Sequence, residues 1–337
     1  MPRINSKIIL DHAAEFSYAV PAFNVNCFDQ CIGIVESAAK VDSPAILQLT
    51  SITRRYFNDI IFNKIIEGLV DLYPKIPICV HLDHAFTVNE CQSAFINGYT
   101  SVMMDGSLCE DGSTISNLDY NVDITRKVVN IAHRHGFSVE GALGIVGSIH
   151  ECIGRVEDNY KPSGLLCREQ FITNPNEAQL FVNATGVDSL SIAIGSTHGA
   201  FKFSDKPTPE TLNLDIISQI HKLLPNTHLV LHGASSVPHS LQEIFNESGG
   251  EMPKAWGVSI DIIKQGIKLG IRKINIDTDN RLAMTGQIRK SLMNKTIKDP
   301  KSYLMDGREA VKKLCCERFE EFGSAGQASK IISTIKQ

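Results

Sequence analysis

The sequence predicts an α/β fold: a (β/α)8 TIM barrel with a C-terminal helical extension. Short apolar segments recur along the chain, and each is followed by a stretch with helical periodicity. Eight such pairs fit within about 280 residues, close to the length that is typical of this barrel. The apolar segments are mostly continuous rather than alternating, which is typical of parallel strands that helices cover on the outside.

The eight predicted strands follow one another along most of the chain. They cover Val20–Val25, Ala45–Thr50, Ile78–Asp83, Ser101–Asp105, Ser138–Leu143, Ser189–Gly195, His228–His232 and Arg272–Asp277. A doubly wound open sheet is the structural alternative, but no GxGxxG motif follows the first strand. The closed barrel is therefore favoured.

Signals for the beginnings and ends of helices fall between these strands. Thr87-Val88-Asn89-Glu90 predicts a capping box, and Asn174-Pro175 predicts an N-cap followed by a proline in the first turn. Glycines follow several of the amphipathic stretches, at the ends of the predicted helices: Gly98, Gly136, Gly186 and Gly270.

No Pro/Ser-rich linker divides the chain, so we expect one domain over residues 1–337. The barrel would occupy about residues 1–290 and the helical extension about residues 291–337. The long polar connection from Gly144 to Ile172 exceeds the barrel minimum, and loops of this length are usually functional lids or disordered. We expect the extension to pack outside the barrel or against a partner subunit.

Composition excludes several classes of function. The formal net charge is −4, so no basic field attracts nucleic acid or an anionic membrane surface. No apolar run is long enough to span a membrane, and the N-terminus lacks a secretory apolar region. Nine scattered cysteines without a CxxC pair indicate reduced thiols, as in a cytoplasmic protein. We therefore expect a small-molecule substrate and a cytoplasmic location.

The most informative motif is His81-Leu82-Asp83-His84-Ala85, which ends the third predicted strand. Barrel enzymes keep their chemistry at the C-terminal ends of their strands. Asp83 and His84 would point to opposite faces of an extended strand, but a bend there would let both line one site. One would then be an acid/base and the other a metal ligand. The alternative is a polar strand end with ordinary hydrogen bonds.

Three histidines fall at strand ends: His84, His198 and His232 follow the third, sixth and seventh predicted strands. Three histidines with an open fourth position suit a catalytic zinc site. Each one alone is more often a hydrogen-bonded core residue, but their common placement weakens that interpretation. His81 is a candidate partner of the site, without direct metal contact. The histidines of the predicted helices are interpreted as surface or packing residues: His133, His135 and His221.

Candidate anion sites follow the last three strands. Gly233-Ala234-Ser235-Ser236 and Asn275-Ile276-Asp277-Thr278-Asp279 occupy the usual phosphate-binding location of the barrel. Glycine lets backbone amides approach an oxyanion, and hydroxyl groups add donors. Gly199 and Lys202, after the sixth strand, are candidates for a second phosphate.

At these residues the chain resembles the class II, metal-dependent fructose-bisphosphate aldolases, and most closely the subtype of Calvin-cycle and many heterotrophic bacteria. The resemblance covers essentially the whole chain. It is carried by PAFNVN (21–26), HLDHA (81–85), SVMMDGS (101–107), VEGALG (139–144), IAIGSTHGAFK (192–202), LHGASSVP (231–238), KINIDTDNRLA (273–283) and FGSAGQASK (322–330).

The resemblance implies that His84, His198 and His232 bind Zn2+ and that Asp83 is the acid/base. Asp105 and Glu140 would form a secondary metal position, and a second metal or a monovalent cation is compatible with the family. Residues implied to hold the sugar bisphosphate and its phosphates are Asn24, Ser51, Gly199, Lys202, Gly233, Ser235, Asn275, Asp277 and Thr278. Arg281 would enter the site from a neighbouring subunit of a homodimer or homotetramer.

The implied reaction is reversible aldol cleavage of fructose 1,6-bisphosphate to dihydroxyacetone phosphate and glyceraldehyde 3-phosphate. Zinc would polarise the ketone as a Lewis acid, and Asp83 would take the hydroxyl proton. A Schiff-base aldolase would instead need a lysine inside the barrel. The sixth strand has none, and Lys273 is expected at the opposite end of the barrel from the site.

The chain departs from the family pattern at three places. Ala142 stands where the family usually has a second glutamate of the fifth strand, and His150, with Glu151 next, stands where it has a loop glutamate. Either residue could supply the proton exchange, or this step is impaired. HLDHA and GSTHG also replace the usual HQDHG and GTSHG. Two alternatives therefore stay open: a tagatose-bisphosphate or other ketose-bisphosphate aldolase, and a weakly active metal- or sugar-phosphate-binding homologue.

Overall fold

The computed structural model describes residues 3–148, 153–154, 163, 166–198, 203, 205–209 and 211–335. Eight parallel strands close into one barrel, in which neighbours along the chain are neighbours in the sheet and the last strand pairs with the first. The strands are β1 (Val20–Asn24), β2 (Ala45–Thr50), β3 (Ile78–Ala85), β4 (Ser101–Met104), β5 (Ser138–Leu143), β6 (Ser189–Ile192), β7 (His228–Leu231) and β8 (Ile271–Ile276). Closure confirms the predicted fold class and excludes the open sheet.

The predicted strands agree with the observed ones except at their ends. β3 runs two residues past Asp83, whereas β6 ends three residues before Gly195. β1, β4, β7 and β8 each end one residue earlier than predicted, and β8 also begins one residue earlier. Strand ends depend on whether a neighbouring strand continues the ladder, and an apolar run does not record this.

Helices cover the outside of the barrel and its two ends. They are α1 (Ser6–Glu15), α2 (Phe28–Val41), α3 (Ser51–Phe57), α4 (Asp59–Leu72), α5 (Val88–Ile96), α6 (Leu118–Arg134), α7 (Pro175–Thr185), α8 (Asp215–Leu223), α9 (His239–Glu247), α10 (Ile260–Leu269), α11 (Thr278–Leu292), α12 (Pro300–Glu321) and α13 (Ala328–Ile335). The capping box at Thr87 and the Asn174 N-cap are both present, as predicted. No helix in the described ranges combines the length and apolar character needed to cross a bilayer.

The helix α1 closes the N-terminal end of the barrel. Its apolar face packs with β1 and with Ile331 of α13 in one buried cluster. The Ser6 hydroxyl lies 2.9 Å from the hydroxyls of both Ser101 and Ser138, the first residues of β4 and β5. Apolar side chains and hydroxyl groups therefore fill much of this end of the barrel, where His228 also pairs with Asp11 of α1.

The helix α12 packs against α2 and α11, outside the barrel. Small residues permit the close approach: a Cβ on Gly307 would lie 2.8 Å from the sulfur of Met284 in α11. Arg308 also forms an ion pair with Asp29 of α2. The buried face of α12 includes Arg318, whose side chain reaches the loop after β7.

Candidate active site

The end of β3 is bent, and the bend decides where Asp83 and His84 point. His84 has a φ of +50°, in the left-handed region that residues other than glycine seldom adopt. The pairing of β3 with β4 shifts between Leu82 and Ala85. The strict alternation of side chains is thereby broken, and both Asp83 and His84 are buried among residues of the barrel interior. The bend that lets both line one site is present.

The three strand-end histidines meet at one point. The centroids of the rings of His84, His198 and His232 lie 4.8 to 5.6 Å apart, and all three residues are buried. Each offers a ring nitrogen within 4.8 Å of the others. Because the end of β3 and the segments after β6 and β7 are far apart in sequence, the closed barrel is what assembles this cluster.

Carboxylates fix which ring nitrogens face the centre of the cluster. His84 Nδ1 lies 2.7 Å from Asp105 Oδ2, and His232 Nε2 lies 2.9 Å from Glu140 Oε1. Each carboxylate accepts a hydrogen bond from the N–H of its histidine, so the other ring nitrogen carries a lone pair. These remaining nitrogens, His84 Nε2 and His232 Nδ1, lie 3.1 Å apart. Two facing lone pairs repel unless a cation lies between them, so this arrangement fits a metal ion.

The carboxylate of Glu140 also accepts a hydrogen bond from Lys273, whose Nζ lies 2.8 Å from Glu140 Oε2. Burial alone would raise the pKa of Glu140, but Lys273 and the hydrogen bond from His232 hold that pKa well below its usual range. The expectation that Lys273 lies at the far end of the barrel is wrong, because its long side chain extends through the interior. Its ion pair leaves the ammonium unsuited to forming a Schiff base.

His81 lies beside this group, and its hydrogen bond goes to a serine on β4. Its Nδ1 is 2.8 Å from the Ser101 hydroxyl, and its Nε2 is 3.7 Å from Glu140 Oε2. Burial lowers the pKa of His81 to about 3. The residue is therefore neutral, and it joins the site to the serine network under α1.

Asp83 is held by three side-chain amides. Asn24 donates to its Oδ2 at 2.9 Å, Gln48 donates to the same oxygen at 3.3 Å, and Asn275 donates to its Oδ1 at 3.3 Å. Burial raises the pKa of Asp83, but its electrostatic interactions with His84, His232 and Lys273 outweigh this, so the pKa lies below its ordinary value. The carboxylate is thus ionised and fixed in orientation beside the histidines.

The loops after β7 and β8 lie against each other. Gly233 has a φ of +65°, and a Cβ there would lie 2.8 Å from the carbonyl oxygen of Thr197, so glycine is required. The backbone N–H of Asp277 donates to the Ser235 hydroxyl at 3.2 Å. The 15-residue helix α11 begins directly afterwards, at Thr278. A hydroxyl group and a helix N-terminus at one place suit an anion such as phosphate.

The family profile described as fructose-bisphosphate aldolase class-II matches residues 4–327 of the chain. This chain belongs to the class II fructose-bisphosphate aldolase family. It is 48% identical over 332 residues to the fructose-bisphosphate aldolase of Rhizobium meliloti (strain 1021), a match that covers 98% of this chain and 92% of the relative. It is 46% identical over the same shares of both chains to the fructose-bisphosphate aldolase class 2 of the cyanobacterium Synechocystis. The resemblance seen in the sequence is confirmed.

Solved structures support the fold. The YdjI aldolase of Escherichia coli K12 aligns with a TM-score of 0.72 at 24% identity, covering 96% of this chain and 99% of that one. The fructose-bisphosphate aldolase of Campylobacter jejuni aligns with a TM-score of 0.68 at 21% identity, covering 96% of both chains. The protein is therefore a (β/α)8 aldolase, a carbon–carbon lyase of a metal-dependent family.

The structure places the remaining predicted residues of this aldolase as follows. Ser51 begins α3 directly after β2, and its hydroxyl donates to Glu90 Oε1 at 2.7 Å. Arg281 is half exposed and pairs with Asp277, which also accepts from Asn26. Four predicted residues lie outside the described part of the chain: His150, Glu151, Gly199 and Lys202.

Some residues of the site were not predicted from the sequence. Gln48 donates hydrogen bonds to both Asn24 and Asp83, and its position as a polar residue in the middle of an apolar strand could have indicated it. Arg318 of α12 contacts the loop after β7, and no local pattern in the sequence indicates this. Gln48 thus contacts Asp83, and Arg318 contacts Ser236, from positions distant in sequence.

Proposed function

We propose that this aldolase reversibly cleaves fructose 1,6-bisphosphate to dihydroxyacetone phosphate and glyceraldehyde 3-phosphate, with Zn2+ held by His84, His198 and His232. The observation that supports this proposal most strongly is that the three buried histidines offer ring nitrogens within 4.8 Å of one another, beside the ionised Asp83. A three-histidine set with room for substrate is the ligand pattern of catalytic zinc. When bound, the metal supplies a Lewis acid that polarises the ketone of the substrate.

In the proposed mechanism Asp83 takes the proton of the hydroxyl group on the carbon that becomes the aldehyde. The bond between that carbon and its neighbour breaks, and its electron pair stays with the ketone fragment. The three amides that bind Asp83 aim its carboxylate, and they stabilise it in the charged state that a base requires. Asn24 and Asn275 are thereby assigned to the substrate side of the site.

Phosphate binding is proposed for the loops after β6, β7 and β8. Gly233, Ser235, Asp277 and Thr278 would hold one phosphate and the adjoining hydroxyl groups of the sugar, because they combine a close backbone approach with a helix N-terminus. Gly199 and Lys202 are proposed for the second phosphate, together with Ser51 of α3.

Asp105 and Glu140 are proposed to orient His84 and His232, and a secondary metal position at these carboxylates remains a prediction. Each already accepts a hydrogen bond from its histidine, the arrangement that raises the basicity of a ligating imidazole. Ala142, on the same strand as Glu140, adds no further carboxylate to this group.

The ketone fragment must regain a proton, and we assign this step to His150 or Glu151. The ordinary pKa of histidine, about 6.5, suits proton transfer near neutrality. His150→Ala or Glu151→Ala should slow exchange of solvent deuterium into dihydroxyacetone phosphate by at least about tenfold, as general acid–base contributions imply. Unchanged exchange in both variants would contradict this assignment.

We also propose a homodimer or homotetramer in the cytoplasm, in which Arg281 enters a neighbouring site. Its side chain is half exposed on α11, where it pairs with Asp277. Eight of the cysteines lie in the described ranges as free thiols, as a reducing compartment requires. Light scattering gives the subunit number, and mixing Arg281→Ala with Asp83→Ala chains should restore activity if Arg281 acts across subunits.

The test of the function is a coupled assay of the zinc-loaded protein with fructose and tagatose 1,6-bisphosphates in parallel. We expect cleavage of the fructose isomer, detected through both triose phosphates. Preferred cleavage of the tagatose isomer would change the assigned substrate. No turnover of either compound by protein with bound metal would support the alternative of a binding homologue and overturn the proposal.

A further inference from the structure

The loop that follows β7 is fixed by one buried carboxylate of α11. Asp279 Oδ1 accepts the backbone N–H of Val237 at 2.8 Å, and its Oδ2 accepts both the N–H and the hydroxyl of Ser236 at 3.1 and 3.0 Å. Val237 itself has a φ of +47°, an unfavourable conformation for a β-branched residue. Asp279 therefore holds the loop in a shape that it would not adopt alone.

This carboxylate depends in turn on a cation from the C-terminal helix α12. Arg318 Nη2 donates to Ser236 Oγ at 2.8 Å and to Asp279 Oδ2 at 3.2 Å, while its Nη1 donates to Glu321 at 2.6 Å. The Arg318 side chain is 3% exposed and that of Asp279 is completely buried. The contacts between these two side chains are therefore shielded from solvent.

The pair lies immediately beside the proposed phosphate loop. Ser236 and Val237 directly follow Ser235, and a Cβ on Gly257 would lie 2.2 Å from the Ser235 carbonyl oxygen, so this loop is also confined from its other side. An unpaired Asp279 carboxylate would repel an incoming phosphate through a medium of low dielectric constant. Arg318 neutralises that charge and also bonds the loop directly.

We propose that Arg318 is a positioning residue for phosphate binding, which acts from the C-terminal extension through Asp279 and Ser236 on the loop Gly233–Val237. The proposal rests on the assignment of this loop to a substrate phosphate under the proposed function. It gives the C-terminal helix a part in substrate affinity, in addition to its packing against α2 and α11.

The test compares Arg318→Met with Arg308→Met, a matched control. Arg308 lies on the same helix and also forms an ion pair, but its partner is Asp29 of α2, away from the loop. Arg318→Met should raise KM for fructose 1,6-bisphosphate and the inhibition constant for inorganic phosphate by about tenfold or more, the effect of losing charge-assisted contacts. We expect kcat to change by less than about threefold, because the metal centre is untouched. Arg308→Met should leave both constants near their wild-type values.

Two further variants, Arg318→Lys and Ser235→Ala, test the proposal even if Arg318→Met does not fold. Arg318→Lys retains the charge but cannot bond Ser236, Asp279 and Glu321 together, so it should raise KM less than methionine does, and it replaces methionine if that variant does not fold. A wild-type KM and phosphate inhibition constant in folded Arg318→Lys, or in folded Arg318→Met, would overturn the proposal. Ser235→Ala should raise KM as well. A wild-type KM in Ser235→Ala would remove the phosphate assignment itself, a result distinguishable from failure of the Arg318 contact.

Discussion

The two ends of the barrel are built from different kinds of buried group. The C-terminal end holds ionisable groups that contact one another, among them Asp83, Glu140 and the three histidines. The N-terminal end holds the apolar face of α1 and three serine hydroxyls, and its carboxylate–histidine pair, Asp11 with His228, has a half-exposed carboxylate. Burying charge is costly, whereas burying apolar side chains and paired hydroxyls is not. The difference indicates that the C-terminal end is maintained for chemistry and the N-terminal end for stability.

The largest expected effect is at the C-terminal end. Asp83→Ala should lower kcat by about a thousandfold, within the range for loss of a positioned acid/base group. The metal should be retained, because the three histidines and their carboxylate partners are unchanged. Steady-state cleavage and metal analysis of the same sample check this. An active Asp83→Ala variant would remove the aspartate from the mechanism.

A smaller loss is expected where a carboxylate only orients a ligand. Glu140→Gln should weaken metal affinity by about ten- to a hundredfold, the usual effect of losing such a partner. Competition with a chromophoric chelator measures it. The matched control is Asp11→Asn, which alters a carboxylate–histidine pair of similar length, 2.7 Å to His228, at the other end of the barrel. Equal metal affinity in both variants would contradict the orienting role of Glu140.

A substitution at the N-terminal end should lower stability and leave activity unchanged. Ser6→Ala removes hydroxyl contacts to Ser101 and Ser138, so the free energy of unfolding should fall by about 1–3 kcal/mol, as for buried hydrogen bonds left incomplete. Cleavage rates of the folded variant should stay at the wild-type level. Urea unfolding and the coupled assay test both halves of this statement. Reduced kcat with unchanged stability would contradict the assignment of the N-terminal end to stability and of the C-terminal end to chemistry.

The smallest effect concerns Asp11 of α1. Burial raises the pKa of Asp11, but hydrogen bonds from His228 and Lys7 outweigh it, so the pKa in the folded protein is lowered. The resulting stabilisation is present above the unfolded-state pKa of about 3.9 and is lost as the pH falls through the folded value. Since Asp11 is half exposed, solvent screening limits it to less than about 1 kcal/mol. The difference in urea midpoint between wild type and Asp11→Asn should therefore be smaller at pH 3 than at pH 5. An equal difference at both pH values would contradict the linkage.

Much of this architecture could be predicted from the sequence because its signals are local. Continuous apolar runs indicated all eight strands, and the positions of His84, His198 and His232 after strands indicated their convergence. The side chains that support them could not be predicted in this way. Lys273 reaches Glu140 only because of how the closed barrel staggers its strands, and the φ of His84 is set by its surroundings.

Contacts made by the C-terminal extension are the least visible in the sequence. Arg318 and Asp279 are 39 residues apart and lie on different helices, so neither helical periodicity nor a motif relates them. Their pairing follows from the packing of α12 on α11, which depends on the close approach at Gly307. Such contacts require the folded chain, because tertiary packing alone brings the partners together.

The central claim is that cleavage depends on one metal ion at the three histidines. Its most direct test is titration of Zn2+ into chelator-treated protein, with bound metal and fructose 1,6-bisphosphate cleavage measured on the same samples, and with His198→Ala in parallel. Activity should rise in proportion to bound zinc and reach its maximum at one equivalent per chain, while His198→Ala should neither bind zinc tightly nor become active. Full cleavage by the metal-free protein, or wild-type activation of His198→Ala, would contradict the account.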